Sequence, residues 1–173
     1  MRLAATPSQT VGPFFAIGMH AVDIANEPAG ERLTIQGRVL DGHGKGVNDA
    51  VIETWQADSA GHYADRSSVG WGRAVTDASG GFRFLTTKPG RLMGVGEVVN
   101  APHIAVTIFA RGLLKHLFTR IYFPDEPSNA SDHVLALVPD DRRATLIARP
   151  SGPNRFEWNI VLQGKDETAF FEC

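Results

Sequence analysis

The segment APHIAVTIFARG, residues 101–112, opens a strand-forming run with one histidine, His103. Side chains two residues apart on a strand point to the same face, so a metal site built here would take its second ligand from position 105. The sequence has Ala105 there, and its methyl group offers no donor atom. Because a metal ion needs several converging ligands, His103 alone is more typical of a structural histidine than of a metal centre.

One face of the extended run 103–111 mixes chemically different side chains, whereas the other face is apolar. The mixed face comprises His103, Ala105, Thr107, Phe109 and Arg111. A histidine, a hydroxyl, an aromatic ring and a cation together are more typical of a cleft than of open surface. Arg111 and Arg120 are isolated cations that can meet either a bound carboxylate or a structural ion-pair partner, and the residues alone leave both alternatives open.

The other chemistry-bearing residues form no recognisable catalytic motif. The remaining histidines are scattered and show no HxxxH or HExxH spacing: His20, His43, His62, His116 and His133. The glycine-rich GHGKG lies in a predicted turn and not at a strand-to-helix junction, so it does not indicate a phosphate-binding loop, and no nucleophile elbow is present.

Composition excludes several classes of partner. The chain has 173 residues, 17 basic and 19 acidic side chains, and no basic run, so nucleic acid is not an expected partner. The single cysteine, Cys173, cannot form an internal disulfide framework, and no apolar run reaches the roughly 18 residues that a membrane span needs. We expect a cytoplasmic protein without membrane partners, folded as a single domain over residues 1–173.

Short alternating apolar runs separated by glycine-rich turns predict β-strands throughout. We expect one hairpin from runs 33–40 and 50–57, and a second across residues 72–87 around a turn at 77–80. Further strands are predicted at 103–111, 117–123 and 155–164, about seven in all. Helix is plausible only within 124–150, with Ser131 or Asp132 capping one turn and Asp140 or Asp141 opening another.

This pattern predicts an all-β fold, an antiparallel β-sandwich with long loops and one or two short helices. The first 20 residues do not alternate and contain Pro7, Gly12 and Pro13, so they predict an extended N-terminal arm. Phe14, Phe15 and Ile17 are too apolar to remain in water, and we expect the arm to pack against a partner subunit.

Eight sequence blocks resemble intradiol ring-cleaving dioxygenases and occur in that family's order. The blocks are TPSQTVGPFF, IETWQADSAGHY, GRAVTDASGGFRF, KPG, APHIAVTIFARG, TRIYFPDE, RRATLIA and RFEWNIVLQGKDETAFFE. The resemblance implies an enzyme that opens catechol-type rings between the two hydroxylated carbons by inserting both atoms of O2. It also implies non-haem Fe3+, which catalytic chains of the family hold with two tyrosinates and two histidines.

Placed block to block, the family's ligands fall only partly on donor residues. The first tyrosine falls on Tyr63 and the first histidine on His103, but the second histidine falls on Ala105. The second tyrosine has no counterpart in GRLMGVGEVVNAP, and an arginine expected before the histidines falls on Asn100. These positions are therefore vestigial, and we expect no metal on this chain and no catalytic residue of its own. The resemblance places the iron on a homologous β subunit instead.

The resemblance also implies what this chain contributes to its partner. Residues of the arm and the end of the FARG strand line the substrate pocket of the neighbouring β subunit in such pairs, and the matching positions are Thr10, Gly12, Pro13 and Arg111. The expected substrate is an aromatic acid such as 3,4-dihydroxybenzoate, together with O2. A guanidinium offsets the charge of such an anion, and glycine allows close backbone approach.

Two interpretations remain at this point. The first is a subunit that supplies structure and part of a substrate pocket within a hetero-oligomer of αβ pairs. The second is a stand-alone β-sandwich interaction module that has lost the connection to the dioxygenase. The intact arm and FARG strand favour the first. The sequence does not determine the number of αβ units, the range of substrates, a ligand for the vestigial pocket or a role for Cys173.

Overall fold

A computed structural model describes residues 6–24, 30–64, 70–93 and 99–172 of the chain. Within these ranges the strands are β1 (Arg32–Leu40), β2 (Val51–Gln56), β3 (Trp71–Val75), β4 (Gly81–Thr87), β5 (Leu92–Met93), β6 (Val99–Asn100), β7 (His103–Phe109), β8 (Leu117–Tyr122), β9 (Arg149–Gly152), β10 (Arg155–Glu157) and β11 (Ile160–Val161). One short α-helix, α1, spans Asp140–Arg143, and 3₁₀ turns span Phe15–Gly18, Pro127–Ser131, Leu135–Leu137 and Ala144–Leu146.

Four of these strands form an antiparallel sheet in the order β3-β2-β7-β8. Along β7, Ile104, Val106 and Ile108 are fully buried, and they alternate with the chemically mixed side chains that the sequence places on the opposite face. β-Branched residues fit this pleated, buried surface well, which explains why the segment forms a central strand.

The second sheet is built around β1. This strand pairs antiparallel with β4 and parallel with both β10 and β11, while β9 pairs antiparallel with β10. The core contains buried side chains from both sheets, among them Ile35, Phe84, Ile108, Ile121 and Trp158. The predicted all-β sandwich is confirmed. Two of its pairings are parallel because the C-terminal strands return beside β1 after a long connection, which leaves their direction free.

Both predicted hairpins are wrong, although the turn in the second is present. β1 and β2 belong to different sheets, and so do β3 and β4. The turn at 77–80 forms as expected, with the Gly80 amide donating to the Asp77 carbonyl at 2.9 Å and the Ser79 amide donating to Asp77 Oδ1 at 2.8 Å. Alternating strands on either side of such a turn can pair with each other or lie in two sheets that pack across a core, and here β3 and β4 lie in different sheets.

Among the described residues, helical structure is confined to short turns, as predicted, but the 3₁₀ turn Phe15–Gly18 lies in the arm, which the sequence predicted to be extended, and not within 124–150. Asp132 accepts hydrogen bonds at Oδ1 from the Val134 and Leu135 amides, at 3.0 and 2.8 Å, and so caps the turn that follows it. A second turn opens at Asp140, also as expected, and continues through Leu146. No helix among the described residues has the length and apolar character needed to cross a membrane.

The described part of the N-terminal arm is tied to the sandwich at its far end. Val22 exchanges two backbone hydrogen bonds with Arg73 of β3, and the Ile24 amide donates to the Leu85 carbonyl of β4. Between these anchors and the start of the arm, Phe14 and Ile17 are each 75% exposed. Residues 1–5 of the arm and Cys173 lie outside the described residues.

Candidate functional site

The mixed face of β7 lies in a continuous surface across three strands of the four-stranded sheet. Ala105 is paired with Trp55 of β2 on one side and with Arg120 of β8 on the other. Two pairs further along, on the same face, His103 lies opposite Tyr122. Cross-strand pairs have Cβ atoms roughly 5 Å apart, so the register places the vestigial positions His103 and Ala105 beside Arg120 and Tyr122.

His103 is a buried structural histidine in this chain. Its side chain is 4% exposed, Nδ1–H donates to the Ala101 carbonyl at 2.8 Å, and its ring lies 5.7 Å from the ring of Tyr122. Burial, reinforced by the positive charge of Arg120, lowers the pKa of His103 to about 4. The imidazole is therefore neutral at pH 7, with its proton on Nδ1.

A hydrogen-bond network behind His103 holds this region together. The Tyr122 hydroxyl donates to Asp132 Oδ1 at 3.1 Å, and the Ala101 amide donates to Asp132 Oδ2 at 2.8 Å. Burial raises the pKa of the Tyr122 phenol, so this tyrosine remains a neutral donor. Asp132 is predicted from sequence only as a helix cap. In the structure it also connects β8 to the segment that leads into β7.

Tyr63, the other vestigial ligand position, lies over the same face. It is 40% exposed, and its ring stacks on Trp55 with a centroid distance of 6.0 Å and an interplanar angle of 1°. Burial raises the pKa of Tyr63, while the positive charge of Arg120 acts in the opposite direction. Its phenol is thus protonated at neutral pH.

The residues at these positions do not fit a ferric ion. Two donors of the expected four, Tyr63 and His103, lie on this face, Ala105 has no donor, and the neighbouring charge is a guanidinium. Among the described residues, no three His, Cys, Asp or Glu side chains are grouped so that they could hold a metal ion. Residues 94–98 of the preceding loop, where the family's second tyrosine is expected, lie outside the described residues and contain no tyrosine.

The second candidate site lies at the opposite end of β7. Arg111 forms an ion pair between its Nε and Asp49 Oδ2, with the arginine side chain 53% exposed and Asp49 largely buried. The next residue, Gly112, donates its amide hydrogen to Thr10 Oγ1 at 2.8 Å. This bond brings the arm against the end of β7, so two of the four predicted pocket residues, Thr10 and Arg111, are adjacent.

Gly12 and Pro13 are both exposed and continue the arm beyond Thr10. A Cβ added to Gly12 would meet no atom of this chain within 4 Å, so the chain's own packing does not require a glycine there. Within the described residues, Thr10 is the member of the predicted set that bonds to the end of β7. The arm therefore presents Gly12 and Pro13 outward, away from the rest of this chain.

A cleft of about 900 Å³ separates the arm from the turn after β7 and from the C-terminal segment. Its lining includes arm residues Ser8, Gln9 and Val11 and the aromatic residues Phe109, His116, Phe118, Phe170 and Phe171. Sequence reasoning did not anticipate this cleft, because it is formed by three segments that are distant in the chain.

Comparisons with known proteins show what the chain is similar to. A family model described as Dioxygenase matches residues 16–164. The chain is 42% identical to the protocatechuate 3,4-dioxygenase alpha chain of Burkholderia cepacia over 98% of both sequences. It is 38% identical to the alpha chain from Pseudomonas putida over 98% of this chain and 97% of that one. The beta chain of the Burkholderia cepacia enzyme is 38% identical over 82% of this chain and 68% of its own length.

A solved structure agrees with the sequence relatives. The dioxygenase domain of a dioxygenase–carbohydrate-binding fusion from Streptomyces sp. SirexAA-E superimposes with a TM-score of 0.68 at 26% identity, covering 95% of this chain and all of that one. The sandwich described above is therefore the fold of that domain.

Proposed function

The chain belongs to the intradiol ring-cleavage dioxygenase family, and we propose that it is the alpha subunit of a protocatechuate 3,4-dioxygenase. In that assembly, 3,4-dihydroxybenzoate and O2 combine to give 3-carboxy-cis,cis-muconate. The bond between the two hydroxylated carbons breaks, and each of these carbons gains one oxygen atom as it becomes a carboxylate. The alpha subunit supplies structure and part of the substrate pocket.

One observation carries the proposal. The chain retains the family's sandwich and its arm, with 42% identity to an alpha chain over 98% of both sequences, yet Ala105 stands where a ligand is needed and lies opposite a positively charged side chain. A chain selected to hold iron would not combine these features. A chain selected to accompany an iron-bearing relative can.

Enzymes of this family use non-haem iron, and we assign that iron to a homologous β subunit. The metal supplies the centre at which the catechol is activated toward O2, and no step of the reaction requires a residue of this chain to bind it. The 38% identity to a beta chain supports a pair that arose by duplication. The assembly is then a hetero-oligomer of αβ pairs in the cytoplasm.

Within this assembly, Thr10, Gly12, Pro13 and Arg111 face the partner's substrate. The bond from Gly112 to Thr10 fixes the arm beside Arg111, so a single surface offers an exposed guanidinium and a backbone segment with little side-chain bulk. Such a surface recognises the carboxylate and the flat ring of 3,4-dihydroxybenzoate by charge and by close approach. The Arg111 guanidinium would then hold the carboxylate end of the substrate, and the partner's iron would bind its catechol end.

The location of the iron can be measured directly. We expect the chain expressed alone to contain no stoichiometric iron and to show no tyrosinate-to-iron colour, whereas co-expression with the β subunit gives a coloured complex with one iron per αβ pair. Stoichiometric iron in the isolated chain would overturn the assignment. A chain that never co-purifies with the β subunit would instead be the stand-alone interaction module.

A further inference from the structure

Arg120 is an unusual arginine in this structure. Its side chain is partly buried, yet none of the ion pairs within the described residues includes it. Its Nε is fully buried and has no hydrogen-bond partner, and its Nη1 reaches Asn100 Oδ1 and the Tyr122 hydroxyl only at 3.5 Å. Removing a cation from water without a paired anion is unfavourable, and no ion pair among the described residues accounts for this arginine.

The position of Arg120 in the sheet accounts better for this partly buried cation. In the β7–β8 register, Arg120 is the cross-strand partner of Ala105, the position where the family's second histidine is absent. The small alanine side chain leaves room on this face, and the Arg120 guanidinium approaches Asn100 and Tyr122, whose ring contacts His103.

We propose that the guanidinium of Arg120 occupies the place that the metal ion takes in the iron-bearing chains, so that a covalently attached cation excludes the metal from this subunit. The inference rests on the proposed function and goes beyond it. Loss of ligands makes metal binding weak, whereas a fixed positive charge opposite Ala105 opposes it actively. Ala105 and Arg120 then form a complementary pair, the alanine supplying the space that the guanidinium fills.

Surrounding groups are consistent with a site that holds positive charge. The oxygens of Asn100 and Tyr122 face the guanidinium, and the Tyr122 hydroxyl donates a hydrogen bond to the Asp132 carboxylate at 3.1 Å. The negative charge of Asp132 is thus linked to Arg120 through one hydroxyl group. Dipoles oriented in this way stabilise a cation without direct pairing, as they would stabilise the positive end of any bound ion.

The test places a histidine at position 105, where the ligand is missing, and compares metal binding with and without the positive charge of Arg120. Co2+ alone is titrated into the full-length chain and into Ala105→His, Ala105→His/Arg120→Gln and Ala105→His/Arg120→Lys, with binding followed by the cobalt absorption spectrum. Ala105→His/Arg83→Gln is the matched control, because it removes an exposed arginine from the other sheet. We expect Ala105→His/Arg120→Gln to bind Co2+ at least 10-fold more tightly than Ala105→His.

The lysine variant separates charge from shape. We expect Ala105→His/Arg120→Lys and the Arg83 control to bind no more tightly than Ala105→His, because the first keeps a cation at the site and the second keeps Arg120. Equal Co2+ affinity in Ala105→His and Ala105→His/Arg120→Gln, including no binding by either, would overturn the inference. If the isolated variants do not fold, the same comparison is made in the αβ complex, with cobalt counted per pair. Iron in the wild-type chain alone would contradict the proposed function, which is a different outcome.

Discussion

At the scale of single residues, the Arg111 side chain is exposed and is also held in place by an ion pair. Its ion pair with Asp49 fixes the guanidinium while more than half of the side chain remains accessible. In the assembled enzyme we expect Arg111→Ala to raise KM for 3,4-dihydroxybenzoate about 10-fold, the effect of losing one charge-assisted contact of roughly 1.5 kcal/mol. Iron content should be unchanged, because the metal is proposed to lie on the partner. Steady-state kinetics and iron analysis on the purified complex measure both.

Two companion variants sharpen that result. Arg83→Ala removes an exposed positive charge from β4 and should leave KM unchanged. Asp49→Asn frees the Arg111 guanidinium from its carboxylate and should lower KM. Arg111→Ala kinetics indistinguishable from wild type would remove Arg111 from the substrate pocket.

His103 makes the free energy of unfolding depend on pH. Its pKa of about 4 in the folded chain lies below the ordinary value of 6.5 because burial opposes the charged form. The unfolded chain therefore binds a proton first as pH falls. The contribution of His103 to the free energy of unfolding is therefore complete above pH 6.5. It decreases by roughly 3 kcal/mol between pH 6.5 and 4, and it changes no further below the folded pKa. Urea unfolding of the isolated chain across this pH range measures the decrease.

His103→Asn is the corresponding variant, because an asparagine amide can keep the hydrogen bond to the Ala101 carbonyl but does not titrate. We expect its free energy of unfolding to depend less on pH between 6.5 and 4 than that of the wild-type chain. The exposed His62, whose side chain is 78% accessible, supplies the control as His62→Asn. A slope equal to wild type in His103→Asn would show that His103 is not the buried neutral group described above.

The sequence reveals part of this region and conceals the rest for a physical reason. The absence of a donor at position 105 follows from the two-residue period of a strand, which is a local property. The contacts of Asp132 with Ala101 and Tyr122 join residues 31 and 10 positions apart, and no local pattern encodes them. Likewise, only the strand register shows that Arg120 lies opposite Ala105.

At the scale of elements, the turns were predictable and the strand pairings were not. Asp77 and Gly80 predict the turn they form, because that geometry depends on four consecutive residues. Whether β3 and β4 then pair side by side depends on which apolar faces meet across the core, and alternation is the same in either case. The same ambiguity produced the expected hairpin between β1 and β2.

The arm is the element with the clearest test. Both Gly12 and Gly18 have open space where a Cβ would be added, so Gly12→Ala and Gly18→Ala should each leave the melting temperature of the isolated chain unchanged. In the assembled enzyme, Gly12→Ala places a methyl group where the backbone is proposed to approach the partner's substrate. We expect kcat/KM to fall at least 10-fold, consistent with the roughly 1–3 kcal/mol that overpacking costs.

Gly18→Ala is the matched control, since it makes the same substitution further along the same arm. Its kcat/KM should equal that of the wild-type complex. A similar loss in both variants would point to a general effect on the conformation of the arm, and no loss in Gly12→Ala would remove that residue from the pocket.

At the scale of the whole molecule, the isolated chain exposes apolar surface that its core does not use. Phe14 and Ile17 are each 75% exposed on the arm, and the cleft of about 900 Å³ between the arm and the rest of the chain has an aromatic lining. Clustered exposed apolar residues mark sites of protein association more often than scattered ones do. Together with the proposed αβ assembly, this surface is best explained as the part of the chain that the β subunit covers.

The double variant Phe14→Ser/Ile17→Ser tests this explanation. Because both side chains are already in water in the isolated chain, its free energy of unfolding should change by less than about 0.5 kcal/mol. Burying two large apolar side chains at an interface contributes roughly 2–4 kcal/mol, so Kd for the β subunit should rise about 30-fold or more. Leu137→Ser, at a residue 78% exposed outside the arm, should leave Kd unchanged. Isothermal titration against the β subunit measures all three chains, and wild-type affinity in the double variant would place the αβ interface elsewhere on the molecule.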